Sequence, residues 1–223
     1  MANKLFAASI FILCSTIICL AIPRIVAIYT LIPVKNELSL KTLNQGQYLI
    51  LEQALNKSLN WNKNPDYYFL KERSLLRSRK YFRLKKDQED YYKKRISLLV
   101  KGLSLAGFRP FEWSRLAHLG SMTGDTRLAK KALEMSILTG PHIKTLYFTR
   151  LITFASIWPE LDDAYKDKYQ DIARLAYRHF RARVVIVARK SSAVREIYRR
   201  LFRDSPVRLL AFYRLIYQSK SSG

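Results

Sequence analysis

Residues 110–141 read PFEWSRLAHLGSMTGDTRLAKKALEMSILTGP, and their reading decides the fold. Apolar residues recur at helical spacing on both sides of Thr123-Gly124-Asp125, so the stretch is predicted to form two helices, Phe111 to Met122 and Thr126 to Leu138, joined by a tight turn. Ala117, Ala129 and Ser136 are small enough to let the helices approach closely. Trp113, Leu116 and Leu133 are large enough to fill the groove between them. Gly140-Pro141 ends the second helix, because proline cannot continue the hydrogen-bond ladder.

The same spacing extends in both directions. Toward the N-terminus, Gln47 to Leu59 places Tyr48, Leu51, Ala54, Leu55 and Ser58 on one face. A turn at residues 60–65 opens a helix from Pro65 or Asp66 toward Phe82, with Pro65 suited to a first helical turn. A basic loop follows. The next helix begins in Asp87-Gln88-Glu89-Asp90, where acids favour a helix N-terminus, and stops at Gly107. Toward the C-terminus, helices are expected over Ile143 to Trp158, Leu161 to Arg183, Ser192 to Phe202 and Val207 to Tyr217. The β-branched run Val184 to Val187 suits a short strand, but its neighbours favour helix. Only seven glycines and seven prolines punctuate 223 residues, which suits long helices with short connections.

Leu5 to Ile22 is a run of 18 residues without a charge, long enough with its flanks to cross a bilayer core of roughly 20 residues. Pro23-Arg24 follows, then a second apolar stretch from Ile25 to Val34; Arg24 and Tyr29 suit an interfacial position. A cleaved signal peptide is the rival reading, but the apolar run is longer than usual for one and no small-x-small motif follows. The expected layout is a membrane anchor over 1–34, a helical-repeat domain over 35–218 beginning with a linker from Val34 to Leu40, and a disordered tail over 219–223. The flanking lysines and arginines mildly favour a cytoplasmic C-terminal domain. The signal-anchor length and the absence of cysteine outside the apolar run, which holds both Cys14 and Cys19, favour the opposite face.

The chain carries 40 Lys+Arg against 17 Asp+Glu, a net charge of +23, and such a field concentrates anionic partners. The charge is densest in two stretches, Lys71 to Lys101 at net +8 and Asp171 to Gly223 at net +10. Within them, Arg77, Arg79, Lys80, Arg83, Lys93, Lys94, Arg95, Arg195, Arg199, Arg200 and Arg203 form the candidate anion-binding set. Arginine offers a planar fork to phosphate or carboxylate, and Tyr91, Tyr92, Tyr198 and Tyr213 lie nearby for stacking. The competing reading is a solvated helix face beside an anionic leaflet. His118, His142 and His179 show no ligand spacing, so no metal and no cofactor are expected. The sequence contains no Gly-x-Ser-x-Gly elbow, P-loop or dinucleotide fingerprint. Glu112 and Glu134, the acids on the two helices of the hairpin, are both expected to face solvent. No enzymatic activity is therefore expected.

Trp113, Leu116, Ala117, Ala129, Leu133, Ser136 and Pro141 resemble, position by position, the repeat core of a tetratricopeptide hairpin. Gly120 departs from that family, which usually has a tyrosine there; its absence implies a gap that a neighbouring helix must fill. From about Pro110 to Tyr177 the chain also resembles the small membrane-anchored, tetratricopeptide-like proteins of bacterial exopolysaccharide biosynthesis. The residues that carry this are the Pro110–Ala117 string, Gly124-Asp125, Ala132-Leu133-Glu134, Leu138 to Pro141, and Trp158 with Pro159-Glu160-Leu161. The resemblance implies an all-α stack of helical hairpins behind an inner-membrane anchor, a periplasmic domain, and a partner protein in an envelope assembly machine. It also implies an accessory role in polysaccharide polymerisation, chain-length control or export, without catalytic residues. The net charge supports a second expectation, a membrane-tethered domain that binds nucleic acid, acidic glycan or an anionic leaflet.

Overall fold

A computed structural model describes residues 2–78 and 85–217. The protein is all-α, and no strand occurs among the described residues. Its backbone divides into two compact units, Met1–Gly107 and Phe108–Gly223.

The first unit holds α1 (Ala2–Tyr29), a 3-10 turn at Ile32–Val34, α2 (Lys35–Ser39), α3 (Gln45–Trp61), α4 (Pro65–Arg77) and α5 (Lys85–Leu105). Helix α1 runs through Pro23 without ending, and it is long and apolar enough to cross a membrane. Phe6, Ile10 to Leu13, Ile17, Ile18, Leu20 and Ile22 all stand exposed on it. Its last turn is different. Ala27 is fully buried, and its carbonyl lies 3.0 Å from the Ser58 hydroxyl on α3 and 2.7 Å from that of Thr30. The two hydroxyls are themselves 2.6 Å apart. One small residue and two short polar ones therefore dock α1 onto α3 with their polar atoms satisfied.

The expected linker from Val34 to Leu40 is not one. Val34 is buried in the core, residues 35–39 are helical, and Arg77 Nη1 donates to the Leu38 carbonyl at 2.8 Å. Helix α3 starts two residues before its expected position because Asn44 and Gln47 form a reciprocal capping box. The face read from its spacing holds, with Tyr48, Leu51, Leu55 and Ser58 buried and Ala54 partly so. Helix α4 ends at Arg77, short of Phe82, which lies outside the described residues.

Helices α4 and α5 are joined by a buried ion pair. Glu72 is fully buried, and its Oε1 accepts from Arg95 Nε at 2.8 Å and Nη2 at 2.5 Å. Arg95 also sits 5.5 Å from the Tyr91 ring centroid. At Gly102 on α5 a Cβ would stand 2.4 Å from the Phe69 ring of α4, so the helices meet here without a side chain between them. On the surface of the same unit, burial raises the Glu52 carboxyl pKa. The Lys94 ammonium at 2.6 Å, aided by Lys71, outweighs that and holds it below its ordinary range.

The second unit holds α6 (Pro110–Met122), α7 (Thr126–Thr139), α8 (Lys144–Ile157), a 3-10 turn at Trp158–Glu160, α9 (Asp163–Lys168), α10 (Gln170–Lys190), α11 (Ser192–Leu201) and α12 (Pro206–Tyr217). Helices α6 and α7 form the expected hairpin. Leu116, Ala117, Ala129, Leu133 and Ser136 are buried, Trp113 is half-buried, and Pro141 lies exposed in the turn after α7. The turn between them uses Gly124 at φ +75°, a conformation that favours glycine, and Asp125 caps α7 by accepting from Leu128 N at 2.9 Å.

At Gly120 the helix that fills the space is α7, the other half of the hairpin: a Cβ on Gly120 would stand 2.8 Å from the Ala129 backbone nitrogen. The α7 backbone occupies the space that a larger residue would need. Glu112 is not on the solvent face. It is buried, with Arg115 at 3.5 Å, whereas Glu134 is half-buried. The single helix expected from Leu161 to Arg183 is instead two, broken at Tyr169, and α10 continues to Lys190 through a non-helical Phe180 (φ −135°, ψ 37°). Val184 and Val185 are buried on α10, so the β-branched run serves as a helix face and not as a strand.

Two substitutions test this packing. Gly120→Ala should destabilise the protein by about 1–3 kcal/mol through overpacking against α7, read as a lower midpoint in urea. Glu72→Met or Arg95→Leu alone should each cost about 3–5 kcal/mol, while the two together should recover most of the loss. Additive single effects in that double-mutant cycle would contradict the pairing.

Candidate functional site

Net charge alone does not make a binding site, because arginines are also used to hold a fold together. Among the candidate set, Arg79, Lys80 and Arg83 lie outside the described residues. Each of the others has an intramolecular partner. In the first unit Arg77 holds the Leu38 carbonyl, Lys93 pairs with Glu89 at 2.6 Å, Lys94 with Glu52 and Arg95 with Glu72. In the second, Arg195 Nη1 donates to the Ala188 carbonyl at 2.8 Å and the Arg189 carbonyl at 3.3 Å, closing the C-terminus of α10. Arg199 forks onto both oxygens of Glu196 at 2.7 and 2.6 Å, and Arg203 reaches Asp204 at 3.5 Å. Arg200 joins α11 to α9 through Asp167 at 2.8 Å and Asp163 at 2.7 Å. The hydrogen bond from Arg200 holds the Asp167 carboxyl below its ordinary range.

A different group of arginines shares one cleft. Arg174, Arg178 and Arg181 follow one another at i, i+4 and i+7 on α10 and line a cleft of about 420 Å³ with Arg208 of α12. Arg174 is paired with Asp171 at 2.5 Å. Among the described residues, Arg178, Arg181 and Arg208 have no carboxylate within 4.0 Å. Arg181 instead lies 5.5 Å from the Tyr177 ring centroid, a cation–π distance.

Tyr177 and Phe202 line the cleft and belong to a buried aromatic cluster beneath it. Tyr177, Tyr198, Phe202 and Phe212 pack ring against ring at centroid separations from 4.8 to 6.1 Å. The Tyr198 hydroxyl donates to the Ala173 carbonyl at 2.9 Å, and burial pushes its pKa well above the ordinary range. Three helices thus converge on an aromatic cluster whose outer edge carries the arginines.

Like charges one helical turn apart cost about 0.2–0.5 kcal/mol per pair, so the row opposes stability unless an anion occupies it. A planar guanidinium suits the oxygens of a carboxylate or phosphate, and the open shape of the cleft suits a chain of such groups. Counting charges along the sequence found the basic stretch but not these residues. The usable signal was the i, i+4, i+7 spacing of Arg174, Arg178 and Arg181, with Asp171 the one acid on that face, three residues before Arg174.

No family model matches the chain, and no curated protein is significantly similar to it. The class that fold and site define is therefore an all-α protein with a membrane-length N-terminal helix and an arginine-lined cleft in its second unit.

Arg200→Ala should lower the melting temperature by releasing α9 from α11, whereas Arg178→Ala and Arg208→Ala should leave it unchanged or slightly raised, as exposed substitutions without a fold role do. Differential scanning calorimetry of the three variants checks the division between structural and available arginines.

Proposed function

We propose that this protein is a membrane-anchored, non-catalytic helical scaffold that holds an acidic polymer, such as a uronate-bearing glycan, in the arginine-lined cleft of its second unit. The observation that carries the proposal is the convergence of Arg178, Arg181 and Arg208 on one cleft without a carboxylate partner among the described residues. The exposed apolar length of α1 supports a bilayer anchor. The α6–α7 hairpin and the resemblance to accessory proteins of exopolysaccharide biosynthesis support a place in bacterial envelope polysaccharide assembly. That setting would put the domain on the outer face of the inner membrane, alongside a protein partner of the assembly machine.

A second reading is favoured by α12. Val207 and Leu210 are 79 % and 65 % exposed beside Arg208 and Arg214, an arrangement that suits an anionic leaflet. In that case the cleft faces lipid headgroups.

The test is a binding titration on the full chain in nanodiscs of zwitterionic lipid. Polygalacturonate should bind and dextran should not, and affinity should fall roughly tenfold between about 50 and 200 mM salt. The triple variant Arg178→Ala, Arg181→Ala, Arg208→Ala should lose the acidic glycan. Equal binding of dextran, or full binding by the triple variant, would refute the proposal. Capture of anionic vesicles without capture of the glycan would favour the leaflet reading.

A further inference from the structure

A second pocket in the same unit, separate from the arginine-lined cleft and half-open to solvent, offers about 300 Å³ between the end of α7, the start of α8 and α10. Its body is apolar and aromatic, formed by Ile137, Tyr147, Tyr169, Ile172 and Leu175. Arg150 forms part of its wall and is only 2 % exposed.

The hydrogen bonds of Arg150 are informative. Nε donates to the Ser136 hydroxyl at 3.1 Å, and Nη2 donates to the carbonyls of Ser136 and, at 2.9 Å, Gly140. Among the described residues Nη1 has no acceptor, and no carboxylate lies within 4.0 Å of the guanidinium. Carbonyl dipoles orient the group but do not neutralise it. Burial accordingly pulls its pKa down to about 10, so it stays charged at neutral pH. A buried, uncompensated cation at the wall of an apolar cavity is costly to the fold. The rim adds positive charge: Lys168 lies on it, and the one acid there, Asp171, is engaged by Arg174 at 2.5 Å.

The chemistry selects a ligand class. With Nε–H and both hydrogens of Nη2 already bound, the guanidinium cannot offer its full fork, and only the two N–H groups of Nη1 remain. A dianionic phosphate needs more donors than that; a monocarboxylate does not. The cavity volume suits a body of roughly a dozen non-hydrogen atoms at ordinary packing density. We propose that this pocket binds a small amphipathic monocarboxylate, its apolar body against Ile137, Ile172 and Leu175 and its carboxylate on Arg150. The proposal is independent of the acidic-polymer reading, since its carboxylate contact is Arg150, which lies outside the cleft, and it depends on an apolar body.

The test uses the full chain in amphipol, free of detergent, titrated with phenylbutyrate and with the uncharged phenylbutanol of the same shape, binding being read by equilibrium dialysis. Phenylbutyrate should bind saturably and at least about tenfold more tightly than phenylbutanol, the difference expected of a charge-assisted contact in a buried site. Leu175→Trp, which fills the cavity, should weaken phenylbutyrate at least about tenfold while the cooperative unfolding transition is retained. Should that variant lose the transition, Ile137→Phe fills the cavity from α7 instead. Arg150 itself is left in place because the end of α7 depends on it. Equal affinity for acid and alcohol, undiminished binding in a folded cavity-filling variant, or the absence of saturable binding would each overturn the proposal.

Discussion

The second unit depends on one guanidinium placed where a helix would otherwise end with unpaired carbonyls. The last turn of any α-helix leaves acceptors without intrahelical donors, and at the end of α7 Ser136 and Gly140 are buried. Arg150 reaches from α8 to the carbonyls of Ser136 and Gly140, and Ser136 passes the connection to α6 by donating from its hydroxyl to the Pro110 carbonyl at 2.9 Å. Three helices are thereby fixed by a single relay of hydrogen bonds. The close approach at Gly120 completes it from the other end of the hairpin, because α6 and α7 can meet backbone to backbone only where no side chain intervenes. Everything after Pro141, including the cleft between α10 and α12, is built on that clamped hairpin.

The large positive charge of the chain divides into two kinds. Some arginines act as connectors, to carbonyls in the case of Arg77, Arg150, Arg189 and Arg195, and to carboxylates in the case of Arg95 and Arg200. Others stand without a carboxylate on a shared face. The first kind ties one segment of the fold to another, through exposed carboxylates in the case of Arg200 and through a buried one in the case of Arg95. The second kind repels itself, and it is tolerable because the face is solvated and the penalty per pair is small. A sum over the sequence treats both alike, so +23 overstates what a partner can touch.

The helical architecture was legible because its signal is periodic. The faces of α3, α6 and α7 follow directly from the positions of Tyr48, Leu51, Leu55, Leu116, Ala117, Ala129 and Leu133. What escaped was whatever depends on distance between segments. Gly120 implied a neighbouring helix, but not that it is the other half of its own hairpin. Glu112 looked like a surface acid, yet Arg115 accompanies it inward. The break at Tyr169 and the kink at Phe180 lie within a continuous amphipathic pattern, which has no means of recording either. Arg150 carries no sequence signature at all, since an arginine on an amphipathic helix is ordinarily solvated.

The junction of α1 with α3 has a mechanical consequence. A hydrophobic helix followed by a loose tether lets its cargo tumble within a hemisphere set by tether length. Here Ala27, Thr30 and Ser58 lock the end of the apolar helix into the first unit, and the residues that follow are helical and pinned by Arg77. With α1 held in a bilayer, the first unit would inherit the tilt and rotation of that helix. It would present a constant face at a constant height, so any encounter on that face becomes a two-dimensional search at fixed orientation. Changes in bilayer thickness that tilt α1 would then be transmitted to the first unit as a rigid rotation instead of being absorbed by slack.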